Sequence, residues 1–176
     1  ARCFYALSQG RADSKRYPAI DPMDSYSKYL EYPEIESYLN QNIDDQWVSQ
    51  VREGKTIMQR GKEASEQINI LGDDSVPIDY HDRYWKSELI DFVILQQDAF
   101  DKIDSNTPIE RQKFMYKKII DICHKTFSFK AFEECSGFYK NLINLFKQMN
   151  YCQYQSEQFN QYNSQIDTLI AERQTK

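Results

Sequence analysis

Residues 44–77 read DDQWVSQVREGKTIMQRGKEASEQINILGDDSVP, and this stretch decides the fold. Its apolar and small residues fall at Trp47, Val51, Gly54, Met58, Gly61, Ala64, Ile68 and Leu71. Steps of three and four put them on one side of an α-helix, in a seam narrow enough for a single partner helix. Asp44 or Asp45 is placed to cap the start of that helix. At the far end, Leu71-Gly72-Asp73-Asp74-Ser75-Val76-Pro77 supplies a glycine stop, an acidic turn and a proline breaker. A second helix is expected beyond it, with Ile78, Trp85, Leu89, Phe92 and Val93 on one face. The stretch thus predicts a long antiparallel helical hairpin with an acidic tip.

Working outward, Pro33 suits the first turn of a helix through about Asn42, and Asp24 or Ser25 can cap a short helix through Leu30. Downstream, Leu95-Gln96-Gln97-Asp98-Ala99-Phe100-Asp101 closes the hairpin, and a loop with Asn106, Thr107 and Pro108 follows. Three more helical patterns come next. The first carries Ile109, Tyr116, Ile119, Ile120, Cys123 and Phe127; the second Phe132, Cys135, Tyr139, Leu142, Phe146 and Met149; the third Phe159, Tyr162, Ile166, Leu169 and Ile170. Only 5 Gly and 5 Pro occur in 176 residues, which disfavours a turn-rich sandwich or barrel. The chain reads as an all-α helical bundle.

Residues 1–22 have a different character. Cys3-Phe4-Tyr5-Ala6-Leu7 is a short apolar run that reads as the end of a larger element. It leads to RYPAIDPMDS, residues 16–25, in which Pro18 and Pro22 each fix φ and push the preceding residue toward extended backbone. The product is a stiff connector with Tyr17 at its head. The expected division is therefore a leading segment and connector, 1–22, and a helical domain, 23–176.

Composition removes several function classes. Net charge is −5 with no basic stripe, which argues against nucleic acid or an anionic membrane surface as a partner. No apolar run reaches the length of a membrane span. Cys3, Cys123, Cys135 and Cys152 show no CxxC pairing, and His81 is the only histidine besides His124, so half-buried thiols are expected rather than a metal site. A GxxxxGK[ST] phosphate loop, a GxGxxG turn, a serine elbow and an HExxH helix are all missing. On residues alone the chain is a bundle without an active site of its own. Packing leaves two features unexplained: Tyr17 before its proline segment, and Gln97-Asp98-Ala99-Phe100 at a helix end. Two aromatics on rigid connectors can make a slot for a flat ring, and stacking on a base is worth about 1–3 kcal/mol.

The segment YPAIDPMDSYSKY, residues 17–29, resembles the YPAxDPxDS segment of the catalytic subunits of rotary ATPases. LGDDSVP falls where those subunits carry an acidic loop facing the central shaft, and LQQDAFD looks like their aromatic loop that closes over adenine. TPIERQKFMYKKIIDI, residues 107–122, is similar to the catalytic chain of the V-type and archaeal A-type enzymes rather than to the F-type β chain. On this resemblance the chain is the C-terminal helical domain of a catalytic A subunit, preceded by a remnant of its nucleotide-binding domain.

The resemblance implies adenine-binding roles for Tyr17, Gln97, Ala99 and Phe100, and central-stalk contact by Asp73, Asp74 and Ser75. Asp98 stands where the family more usually has Asn, and Ile94 where it has Phe. For the intact subunit the implied cofactor is ATP or ADP with magnesium; for this chain alone, none. The phosphate loop, the catalytic carboxylate and the magnesium residues are implied to precede it, so the chain alone is expected to be inactive. Implied partners are B subunits and central-stalk subunits of a proton- or sodium-transporting ATPase or ATP synthase. The implied place is cytoplasmic and peripheral, without direct membrane contact. A stand-alone helical adaptor, binding a protein partner through the hairpin, is the alternative. It gives no reason for the proline-bracketed segment.

Overall fold

Helix α3 (Trp47–Leu71) and helix α4 (Ile78–Ile90) lie side by side and form the predicted hairpin. They belong to a computed structural model that describes residues 1–175. Close approach is what the seam glycines provide. A Cβ on Gly61 would overlap the Ser87 Cβ, and one on Gly54 would overlap the Tyr116 hydroxyl. Gly72 ends α3 at φ +85°, a conformation that costs glycine little, and its amide donates to the Ile68 carbonyl at 2.8 Å. The turn Asp73–Ser75 follows as a single 3₁₀ turn. The buried seam runs through Gly54, Met58, Gly61 and Ala64 but stops short of its expected end, since Leu71 is exposed.

Helix α2 (Pro33–Asn42) begins on its proline as expected. The start of α3 differs from expectation, because Gln46 is the N-cap residue and neither Asp44 nor Asp45 caps the helix itself. Asp44 acts one turn earlier, its Oδ1 accepting from the Gln46 amide, while Asn40 of α2 accepts from the Val48 amide. An orphan donor at the helix start is thus satisfied by a neighbouring helix.

The expected short helix from Asp24 or Ser25 through Leu30 does not form. Ser25 Oγ, one of the two expected caps, accepts from the Ala6 amide instead, and Asp21 Oδ1 holds the amides of Met23 and Asp24 in a turn. Strand β2 (Tyr26–Ser27) instead pairs antiparallel with strand β1 (Cys3–Phe4), and Leu7 bridges Ile20. The five-residue helix α1 (Gln9–Asp13), capped by Ser8, lies between them. The leading segment therefore folds back along its own connector.

Helices α5 (Ile109–His124), α6 (Phe132–Asn150) and α7 (Glu157–Arg173) complete the bundle. Ile119, Tyr139, Leu142, Phe146, Phe159 and Ile166 are among the fully buried side chains at its centre. Burial pushes the Cys123 and Cys135 thiols up to about 12, which makes them inert packing groups. His124 pairs with Glu53, and His81 stacks on Phe132. Among the described residues no helix is long and apolar enough to cross a membrane.

After Ile90 the backbone of α4 widens into one π-helical turn, Asp91–Leu95. Such turns re-aim the side chains that follow them. Here the Val93 carbonyl takes a hydrogen bond from Asn150 Nδ2 at 3.1 Å.

Candidate functional site

The end of α4 is where the leading segment docks. Arg11 makes two hydrogen bonds to Asp91, at 2.9 and 2.7 Å. Arg16 makes two to Glu88, at 2.9 and 2.6 Å, and a third to Asp91 at 2.7 Å. Asp91 and Glu88 are buried, so this is a shielded clamp of paired forks rather than a set of surface ion pairs. The hydrogen bonds to Glu88, and its charge, push the Arg16 pKa further above its already high range. The Arg16 guanidinium also lies 4.6 Å from the Phe92 ring centre, and Lys147 lies 4.8 Å from it.

The clamp sets Tyr17 beside the loop that follows the π turn. The Gln97 amide donates to the Tyr17 carbonyl at 3.1 Å. The loop is then closed on itself: Gln97 Nε2 donates to the Asp104 carbonyl at 2.7 Å, and the Asp98 amide to Asp104 Oδ2 at 2.6 Å. Burial raises the Asp104 pKa, opposed by that hydrogen bond from Asp98. Asp98 in turn accepts from the Phe100 amide and from the Tyr151 hydroxyl.

All four residues expected at a flat-ring slot, Tyr17, Gln97, Ala99 and Phe100, line one cavity of about 500 Å³. Phe92, Lys15, Lys147 and Tyr151 join them. Tyr17 is 55% and Phe100 99% exposed, so both rings offer free faces. Asp98 lines this cavity, whereas Ile94 lines a neighbouring one. Among the described residues no three His, Cys, Asp or Glu side chains converge as a metal site.

Sequence reasoning missed the clamp of Arg11, Arg16, Glu88 and Asp91, whose members have no local signature. It also took Phe92 for a core residue alone. The tip residues Asp73, Asp74 and Ser75 are exposed and belong to a different end of the molecule. The 25-residue α3 separates that tip from its own first turn by about 37 Å. Beside the tip, Ile70 and Leu71 are exposed apolar side chains.

No family model matches the chain. The V-type ATP synthase alpha chain of Protochlamydia amoebophila is 34% identical over 173 residues, covering 98% of this chain and 29% of that protein. That of Treponema denticola is 32% identical over 170 residues, covering 97% of this chain and 27% of that protein. The chain thus spans less than a third of the length of these curated relatives. The solved structure of the ATP synthase subunit NeqB from Nanoarcheaum equitans aligns with 72% of this chain over 29% of its own, at 20% identity and a TM-score of 0.48. The sequence matches make this chain a homologue of ATP synthase subunits. It belongs with the alpha (A) chains of the V-type enzyme and corresponds to their C-terminal part.

Proposed function

We propose that the chain completes the adenine pocket of a catalytic A subunit, coupling events there to rotation of a central stalk. One observation carries the reading: Tyr17 and the Gln97–Phe100 loop, distant in sequence, line a single cavity with two exposed rings. Tyr17 and Phe100 offer stacking faces to the base, and Ala99 leaves room for it between them. An adenine ring needs shape and stacking and little else. Phosphoryl chemistry needs charge clamps and magnesium, which the preceding portion of the subunit supplies in this reading. Residues 1–22 then act as the tail of a nucleotide-binding domain and residues 23–176 as a helical domain that moves with it. The Arg11 and Arg16 clamp joins the two, so that closure on nucleotide carries the bundle as a rigid body. The hairpin presents Asp73, Asp74 and Ser75 to the stalk as a lever. B subunits, stalk subunits and a peripheral place on the cytoplasmic side of an ion-translocating complex belong to the same proposal.

Photolabelling of the intact subunit with 2-azido-ATP tests it. Crosslinks at Tyr17 or within residues 97–100, suppressed by excess ATP, are the expected result. Labelling confined to other segments would contradict the pocket.

A further inference from the structure

A second cavity, of about 520 Å³, adjoins the first and shares Gln96, Gln97, Asp104 and Asn150 with it. Most of its wall is apolar, with Trp47, Val51, Met58, Val93, Met115 and Tyr116 contributing. Its size and lining are those of an ordinary small-molecule site.

Arg111 stands in this wall and is only 1% exposed. Its Nη2 donates to the carbonyls of Asn150 and Met149, at 2.5 and 3.3 Å. Its Nε and Nη1 are buried and have no partner. Gln96 Nε2, on the same cavity, is also buried without a partner. Among the described residues no carboxylate comes within ion-pairing distance of Arg111. Asp104 shares the wall, but its Oδ2 is engaged by the Asp98 amide. Buried donors left idle, two of them on a cation with no carboxylate in ion-pairing distance, are costly, and an anionic acceptor removes that cost.

We propose that this cavity binds an amphipathic monocarboxylate. Its carboxylate accepts from Arg111 and Gln96, and its apolar body lies along Val51, Met58 and Met115. A single buried cation set among mostly apolar walls suits one negative charge on an aliphatic or aromatic body. The proposal is independent of what the first cavity binds.

Calorimetry on the 176-residue chain with octanoate and with 1-octanol tests it, since the alcohol keeps the apolar body and loses the charge. Octanoate should bind saturably and at least about tenfold tighter than octanol. In a parallel titration followed by methionine methyl NMR, Met23, Met58 and Met115, which line the cavity, should shift together. Arg111→Met should erase the preference for octanoate over octanol. Val51→Trp, which fills the cavity and leaves Arg111 intact, should abolish octanoate binding. The unmodified chain decides the matter even if a variant misfolds. No saturable binding of octanoate, equal affinity for octanol, or shifts that spare Met58 and Met115 would each overturn the proposal and leave a cavity filled only by water.

Discussion

The amide of Gln97 donates to the carbonyl of Tyr17 across 3.1 Å, so the aromatic loop and the proline connector are fastened by main chain rather than by ring packing. Both rings are left with open faces as a result. Large exposed aromatics on a backbone held this firmly suit recognition of a partner or ligand better than they suit a core.

The clamp beneath Tyr17 should carry measurable stability. Arg16→Met strands Glu88 and Asp91, two buried carboxylates, without one of their cations. Urea denaturation should show a loss of about 2–3 kcal/mol, the discount from a fully buried pair reflecting the partial exposure of Arg16. Arg52→Met, which breaks an exposed pair with Glu36, should change stability little in the same assay.

The glycines of the bundle should divide by the space around them. Gly61→Ala drives a Cβ into Ser87 and toward the Arg83 carbonyl, and should destabilise by about 1–3 kcal/mol. Gly137→Ala, inside α6 with open space around its Cβ, should stabilise by about 0.5–1 kcal/mol through helix propensity. Thermal unfolding of the two variants, shifted in opposite directions, is the readout.

Asp104 gives a pH dependence. Its pKa is raised by burial, so the native state keeps this proton to higher pH than the unfolded chain does. The stability linked to it is full below the ordinary carboxylate value and is lost as pH rises through the raised native value. Asp104→Asn keeps an acceptor for the Asp98 amide and cannot ionise. Denaturant midpoints should move in favour of the variant as pH goes from about 3 to about 7. A difference that stays flat across that range would show that Asp104 ionises alike in both states.

Much of this architecture was legible locally. The hairpin followed from the spacing of Gly54, Met58, Gly61 and Ala64, and Gly72 marked its end, because helical burial repeats within a single segment. Pro33 announced α2 in the same way. What was hidden depends on distant partners. Tyr26 and Ser27 extend because Cys3 and Phe4 are there to pair with them, and Ser25 fails as a cap because the Ala6 amide takes its hydroxyl. The pairing of Arg16 with Glu88 and Asp91 leaves no trace in the neighbours of any of the three. Arg111 did leave one, since it sits one helical turn before Met115 on the buried stripe of α5. A lone cation on an apolar stripe was the available signal.

The hairpin tip should act by shape. Exposed charges contribute little to a mechanical contact, so Asp73→Ala combined with Asp74→Ala should leave rotation and ATPase activity of the assembled complex largely intact. Deleting the tip with the adjoining helix turns should lower torque and spare nucleotide binding. Single-molecule rotation under load reads both outcomes, and unchanged torque after the deletion would remove the hairpin from the mechanism.

The adenine pocket is the central claim, and nucleotide affinity of the intact complex carrying Tyr17→Ala or Tyr17→Phe tests it most directly. Stacking uses the ring face and not the hydroxyl. The alanine variant should therefore lose roughly 1–3 kcal/mol of binding free energy while the phenylalanine variant binds as the parent does. Unchanged affinity in Tyr17→Ala, or equal losses in both variants, would contradict the account.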